Sequence, residues 1–507
     1  MAVTLPDRSE SYWIASTPET SYPPLDGDLT VDVAVLGAGI VGVTAAYLLK
    51  QHGVRVALID ARRIVTGVTG HTTAKLTSLH GTKYSEIVAR FDRERARLYA
   101  DANEGAIRFV SAVVEEHGID CDLRRMPALT YTTNAEELGR IHAEVEAARE
   151  AGLDASFTTE TTLPFEIQGA VRVENQAIFH PRKYLLALAR MVDGDGSRVL
   201  EETAARDVRE GRPCVVTTDH GRIRADHVIV ATHFPFLDRG LYFARLEPLR
   251  SYALGIRVAE APPEGMYISL GEDFGSIRPH PTGDDWLIIV GGVLHQTGRS
   301  SVPTMQHYRQ VEAFAREAYT VESIEYRWST QDNRTVDGIP NVGTYTPASP
   351  HLYTATGFDG WGMSNGTAAA MILADLILKR HNRWAGVYDP ARLGQVAKIG
   401  QILRLGVSNV DHLVRDRVQV APLEISDLAP GEGRVGRVDG ETLAVSRAAN
   451  GTLQAVAPAC AHQGCIVTWN DAEQSWDCPC HGSRYAADGT LLHGPATHGL
   501  ERRPLVG

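Results

Sequence analysis

The sequence predicts an α/β domain followed by a small all-β module, and two local patterns carry that prediction. Near the N-terminus a β-branched run, a glycine turn, a helical run and a second apolar run follow one another as a strand–turn–helix–strand unit. Near the C-terminus short strand-like runs alternate with turn signals and hold four of the six cysteines. The length of 507 residues is more than a single core usually serves, and 43% hydrophobic with 22% charged residues is ordinary for a globular chain.

Residues 1–29 read as a Pro- and Ser-containing arm whose Tyr12 and Trp13 call for some burial. Residues 31–36 are β-branched and apolar, as in a parallel strand covered on both faces. Gly37-Ala-Gly39-Ile40-Val41-Gly42 follows, then a helical run ended by Gly53, a strand over 54–59, and Asp60 at its tip. In this Rossmann-like unit the first glycine permits the tight turn and the second lets backbone approach a pyrophosphate. The third lets helix and strand pack closely, and the acid accepts from a ribose. The unit does not by itself distinguish FAD from NAD. Residues 66–77, TGVTGHTTAKLT, are a second Gly/Thr-rich segment able to line a cofactor. Residues 225–232 are an apolar strand returning to the sheet, and 354–365, TATGFDGWGMSN, are a late glycine turn feeding an apolar helix. Such a helix N-terminus suits a cofactor edge that gains negative charge. Residues 391–417 have helical apolar spacing and read as a connecting helical linker; residues 418–507 form the β module.

Two loops of that module carry chemistry: Cys460-Ala-His462-Gln-Gly-Cys465 and Cys478-Pro-Cys480-His481-Gly-Ser483. Thiolates of Cys460 and Cys478 on one iron and imidazoles of His462 and His481 on the other make a [2Fe–2S] centre of Rieske type, which passes single electrons. A zinc site competes, but Cys-x-His is tight for zinc ligand pairs. Cys465 and Cys480 stand symmetrically beside the loops, placed to close a clamping disulfide, and Ser483 and Tyr485 are placed to donate to cluster sulfur. These residues resemble the high-potential Rieske proteins of respiratory chains, which carry that disulfide, Ser and Tyr. Cys121 and Cys214 are isolated and read as buried thiols.

Residues from about 30 to 390 resemble the D-amino-acid oxidase family of FAD enzymes, which includes glycine oxidase and sarcosine oxidase. GAGIVG, TGHTTAKLT, the DGIP stretch and GFDGWGMSNG carry the resemblance. It implies FAD on an interrupted sheet, with a substrate lobe interleaved in sequence over roughly 75–200 and 240–330. It implies cofactor contacts at Gly37, Gly39, Ile40, Val41 and Gly42; at Asp60, Ala61 and Arg62; and at Thr69, Gly70, His71 and Thr72. Val208 and the turn of Gly357, Phe358, Gly360, Trp361 and Gly362 complete the set, the turn facing the isoalloxazine. His71 is either a covalent flavin link or a hydrogen-bonding histidine; Lys75, one turn on, either shares its cavity or is a solvated surface lysine. Arg250 is a candidate clamp for a substrate carboxylate, with Tyr252 beside it and His295 reaching the flavin's far face. His493 and His498 have a spacing seen in mononuclear iron sites, but they lie in the β module's closing segment and are set aside.

The reading that follows is an FAD-dependent dehydrogenase or oxidase of an amine or amino acid. Its electrons pass one at a time to the cluster and on to an external acceptor such as a carrier protein. The competing readings are a reductase run backward from a protein donor and an O₂-using oxidase with a regulatory cluster. A net charge of −12 argues against nucleic acid as partner. No signal peptide or membrane span is visible, so a cytoplasmic protein is expected. Self-association is left open.

Overall fold

The structure is a computed structural model describing residues 4–271, 275–395 and 420–505. The linker expected over 391–417 lies outside these residues from 396 onward; Pro390–Gln395 before it form a 3₁₀ turn.

Two large sheets make up the first 395 residues. The first is ordered Asn341–Thr344, Leu352–Thr356, Gly221–Val230, Leu29–Leu36, Val56–Ile59, Arg198–Leu200. Along this order the strands are parallel except the edge strand Asn341–Thr344; off it, Cys214–Thr218 pairs antiparallel with Gly221–Val230, and Ala205–Arg209 pairs antiparallel with Cys214–Thr218. The central register sets Val35 between Leu58 and Ile229, all three buried, which is why the strand reads as a continuous apolar run. Helices Ile40–Gln51 and Gly362–Ile377 pack against each other, and their facing side chains join one core.

The second sheet is ordered Val321–Thr335, Leu246–Val258, Asp285–Gln296, Gly275–Thr282, Met266–Ser269, Arg124–Thr132, Gly169–Ile178, Lys75–Leu76. All its pairings are antiparallel except Met266–Ser269 with Arg124–Thr132. The chain enters this sheet, returns to the first for residues 198–230, and enters it again. Beside it runs the helix Arg93–His117, started by the Asp92 side chain accepting from the Arg95 N–H and stopped by Gly118 in the left-handed region.

The C-terminal part has a three-stranded sheet, Gly433–Val438, Glu441–Arg447 and Leu453–Val456, and a four-stranded one, Thr468–Asn470, Ser475–Asp477, Arg484–Ala486 and Leu491–His493. The first hairpin turns at Asp439-Gly440, both at positive φ, as a two-residue turn requires.

This module is docked on the second sheet through buried ions. Asp477 accepts from Arg484 Nε at 3.0 Å and from Asn470 Nδ2 at 2.9 Å, and lies 3.8 Å from Arg250 Nε in the other domain. Burial pushes the Asp477 carboxyl up, but Arg484 and Arg250 outweigh it and hold it at about 2. Tyr308 donates to Glu473 at 2.7 Å, and Asp471 accepts from the Thr304 N–H at 2.6 Å, placing an acid from one domain at the helix N-terminus (Met305–Ala318) of the other. The N-terminal arm tightens the joint. Trp13 is fully buried and donates from Nε1 to Thr72 O at 2.6 Å, Arg278 lies 5.0 Å over its ring, and Ser9 donates to Glu473 at 3.3 Å. Among the described residues no helix is long and apolar enough to cross a membrane.

Asp477→Asn leaves two buried guanidinium groups short of their shared anion and is expected to destabilise the protein by about 3–5 kcal/mol. Because the Asp477 carboxyl is depressed from 3.8 to about 2, its contribution is complete above pH 3.8 and is lost as pH falls toward 2. Thermal unfolding of both proteins from pH 7 downward checks this: the gap should hold to about pH 4 and then close.

Candidate functional site

Strand Leu29–Leu36 ends in Gly37 at φ +100°, where a Cβ would stand 2.5 Å from Ala231 O. A Cβ on Gly42 would stand 1.9 Å from Gly37 O, so the turn and the helix behind it close only without side chains there. Asp60 accepts from the Ala38 N–H at 2.9 Å and the Arg62 N–H at 3.0 Å, and Thr69 Oγ1 accepts from the Ile40 N–H at 3.1 Å. These bonds stiffen the turn in front of a cavity of about 560 Å³.

Of the residues expected at a cofactor, Gly37, Gly39, Ile40, Val41, Asp60, Ala61, Arg62, Thr69, Thr72, Phe358, Gly360 and Gly362 line this cavity. The others stand behind it. Gly42 lies under the turn, Gly70 against Val65 O, and Gly357 against Thr335. Trp361 stacks on His80 at 4.7 Å. His71 is bonded through Nδ1 to Gly67 O at 2.9 Å. The Val208 side chain is fully buried in a core, and its carbonyl accepts from Arg239.

The structure adds lining residues that no motif marked. Asp332 accepts from the Gly360 N–H at 2.7 Å, and burial raises its carboxyl to about 7. His233 and Phe234 follow the C-terminal end of strand Gly221–Val230. Burial pushes His233 down to about 3, and its Nε2 has no hydrogen-bond partner among the described residues. The whole segment 490–499 of the C-terminal module forms a wall, with the His493 ring 5.4 Å from that of His233. The strand-end position of His233 is the one signal in the sequence, since ligands of parallel sheets bind beyond the carboxyl ends of strands.

The catalytic candidates Arg250, Tyr252 and His295 lie elsewhere, at the joint with the C-terminal module. Arg250 faces Asp477 and donates to Ser329 at 2.6 Å, so the carboxylate it meets is the protein's own. Tyr252 Oη lies 3.0 Å from His295 Nε2, and His295 stacks on His307 at 4.6 Å. Lys75 is buried rather than on the surface. It donates to Ser276, and burial with Arg278 nearby pushes it down to about 7.

The two cysteine loops close alike. Cys460 N–H bonds Cys465 O at 2.8 Å and Gly464 N–H bonds Cys460 O at 2.9 Å; Cys478 N–H bonds Ser483 O at 2.8 Å and Gly482 N–H bonds Cys478 O at 3.0 Å. The sulfurs of Cys465, Cys478 and Cys480 lie within 4.8 Å of one another, but Cys465 and Cys480 are joined as a disulfide with Cα atoms 6.4 Å apart. That leaves Cys460 and Cys478 as the free thiols of the two loops, Cys121 and Cys214 being buried elsewhere. His462 Nδ1 and His481 Nδ1 converge to 3.2 Å, and Tyr485 Oη lies 3.1 Å from Cys460 Sγ. Two thiols and two converging imidazole nitrogens on paired loops fit a [2Fe–2S] cluster with one iron on each ligand pair. The first cavity, with its glycine cradle and unpartnered imidazole nitrogen, fits a dinucleotide.

The chain belongs to the family described as FAD dependent oxidoreductase, whose model matches residues 32–376, and it carries a Rieske [2Fe-2S] domain over residues 419–504. The protein thus binds FAD in its first part and a [2Fe–2S] cluster in its last, which removes the zinc reading. Along 498 residues, 98% of each chain, it is 37% identical to the putative Rieske 2Fe-2S iron-sulfur protein YhfW of Bacillus subtilis (strain 168). It is 24% identical over 400 residues to gamma-glutamylputrescine oxidoreductase of Escherichia coli (strain K12), covering 73% of this chain and 89% of that one. Glycine oxidase from Geobacillus kaustophilus shares the fold with a TM-score of 0.59 at 19% identity, over 72% of this chain and 99% of that chain.

Gly37→Ala is expected to abolish flavin retention while leaving the cluster, and Cys460→Ala the reverse. Flavin absorbance and the electron paramagnetic resonance of the reduced cluster, read on both purified variants, check the separation.

Proposed function

We propose that this protein is an FAD-dependent dehydrogenase of an amine or amino acid that hands its electrons through its own Rieske domain to an external one-electron acceptor. The observation that carries the reading is the shared wall. Residues 490–499 of the Rieske domain border the dinucleotide cavity, and Phe234 lines that cavity with its ring 5.9 Å from the ring of His481, an imidazole of the cluster loops. A regulatory cluster has no need of such proximity. The relative named for gamma-glutamylputrescine supports an amine as substrate.

In this reading residues 37–41 and the N-terminus of helix Ile40–Gln51 hold the pyrophosphate of FAD, and Asp60 with Arg62 holds the adenosine side. The turn at Phe358, Gly360 and Gly362 borders the isoalloxazine, and Cys460, Cys478, His462 and His481 hold the cluster. When bound, FAD supplies a two-electron hydride acceptor and the cluster a one-electron site. The protein's own part is to position and to set charge. The buried neutral imidazoles of His233 and His493 line the Rieske side of the cavity without adding a cation. Asp332, raised to about 7 by burial, carries a proton below neutral pH and a negative charge above it. That charge opposes the arrival of electrons in the cavity.

Anaerobic mixing with a panel of amines and amino acids tests the reading. One of them should bleach the flavin and then give the Rieske signal; a cluster that stays oxidised through flavin turnover would sink it. Phe234→Ala should slow cluster reduction more than it slows flavin reduction. Asp332→Asn should match the unaltered protein in flavin-reduction rate below pH about 7 and exceed it above, a ratio in which the substrate's own titration cancels.

A further inference from the structure

The imidazoles of the cluster are held from outside by one short segment of the flavoprotein part. His462 turns Nδ1 toward His481 and Nε2 toward Asp238, whose Oδ1 lies 3.0 Å away. With Nδ1 given to iron, a neutral imidazole carries its proton on Nε2, so His462 donates and Asp238 accepts. Asp238 stands at the start of the 3₁₀ turn Arg239–Ala244, and the same turn brings the backbone of Phe243 into a hydrogen bond with His481. The His462 side chain is 6% exposed whereas that of Asp238 is 59% exposed, so the carboxylate is the group between the ligand and water. It borders a second cavity of about 410 Å³, with Arg206, Asp207 and Arg239 on the rim.

We infer that Asp238 is a positioning residue of the cluster. It fixes the orientation of His462 across the domain boundary and lowers the potential at which the cluster accepts its electron. Two effects act in the same direction. Reduction adds one negative charge to the cluster, with no bond formed or broken, and a carboxylate in hydrogen-bond contact with a ligand opposes that charge. Accepting the Nε2 proton also makes the imidazole a stronger donor to iron, which favours the oxidised state. Half-exposure weakens the first effect through solvent screening but leaves the second, which runs through the ligand itself. Tyr485 at Cys460 works the other way, since a hydroxyl donated to the thiolate side favours the reduced state. The potential is thus set by opposed contacts, one within the Rieske domain and one supplied by its partner domain. The inference rests on the cluster being the electron acceptor proposed above.

The test is a mediator titration of the full-length, cluster-loaded protein followed by electron paramagnetic resonance. Mediators equilibrate with the cluster directly, so the midpoint reports on Asp238 whether or not flavin proves to be the donor. Asp238→Asn and Asp238→Ala should both shift the midpoint upward; a tenfold change in the ratio of reduced to oxidised cluster reads as about 59 mV for this one-electron couple. Asp238→Glu, which keeps the charge, should restore the low value. Asp207→Asn, on the same cavity rim, should shift it less. Midpoints for Asp238→Asn and Asp238→Ala equal to that of the unaltered protein, or no greater displacement than Asp207→Asn produces, would overturn the inference.

Discussion

The carboxylate of Asp477, buried between Arg250 and Arg484, is the contact on which the arrangement of the two redox domains depends. Three ions out of water are a poor source of net stability, because desolvation consumes most of what their attraction returns. What they provide is geometry: any other docking leaves charge buried and unpaired. Asp477 immediately precedes Cys478, so fixing this residue fixes the second cluster loop. The loop then has little freedom. A Cβ on Gly298 would stand 2.8 Å from Pro479 N, and one on Gly482 would stand 2.3 Å from Gln331 Nε2.

The same docking determines how histidines are used in this protein. Those at the cluster have opposite polar environments. His462 faces a carboxylate, while His481 is enclosed by the rings of Phe234 and Phe243 at 5.9 and 6.0 Å. Aromatic packing at one imidazole and a charged contact at the other make the cluster asymmetric between its protein-facing and solvent-facing sides. The asymmetry comes from a single segment, residues 233–244, that starts at the cavity and ends at the cluster loops.

What the sequence made legible was chemistry confined to short spans. The turn at Gly37, Gly39 and Gly42 and the paired cysteine loops each fold within a few residues, so spacing alone conveys geometry. Arg250 shows the limit of that reading: an arginine on a strand suits a substrate carboxylate as well as a protein one, and its partner Asp477 is distant in sequence. Lys75 shows another, since nothing local told a buried lysine from a solvated one; the strand pairing of Lys75 with Ile178 and its bond to Ser276 decide the matter. Asp332 sits in a long strand with no motif, and the tail over 490–499 reads as the end of a β module. Their place in the cavity arises only when three remote segments meet.

The cavity wall built from residues 490–499 joins two equilibria that would otherwise be independent. A dinucleotide held in this cavity contacts both domains, so it binds the docked arrangement more tightly than the undocked one. By linkage, the docked arrangement must then hold the dinucleotide more tightly to the same degree. Loss of the flavin therefore loosens the Rieske domain, and loosening of the Rieske domain releases flavin. Flavin retention and docking of the Rieske domain are thus one equilibrium seen from two sides, while the cluster loops stay closed by bonds within their own domain.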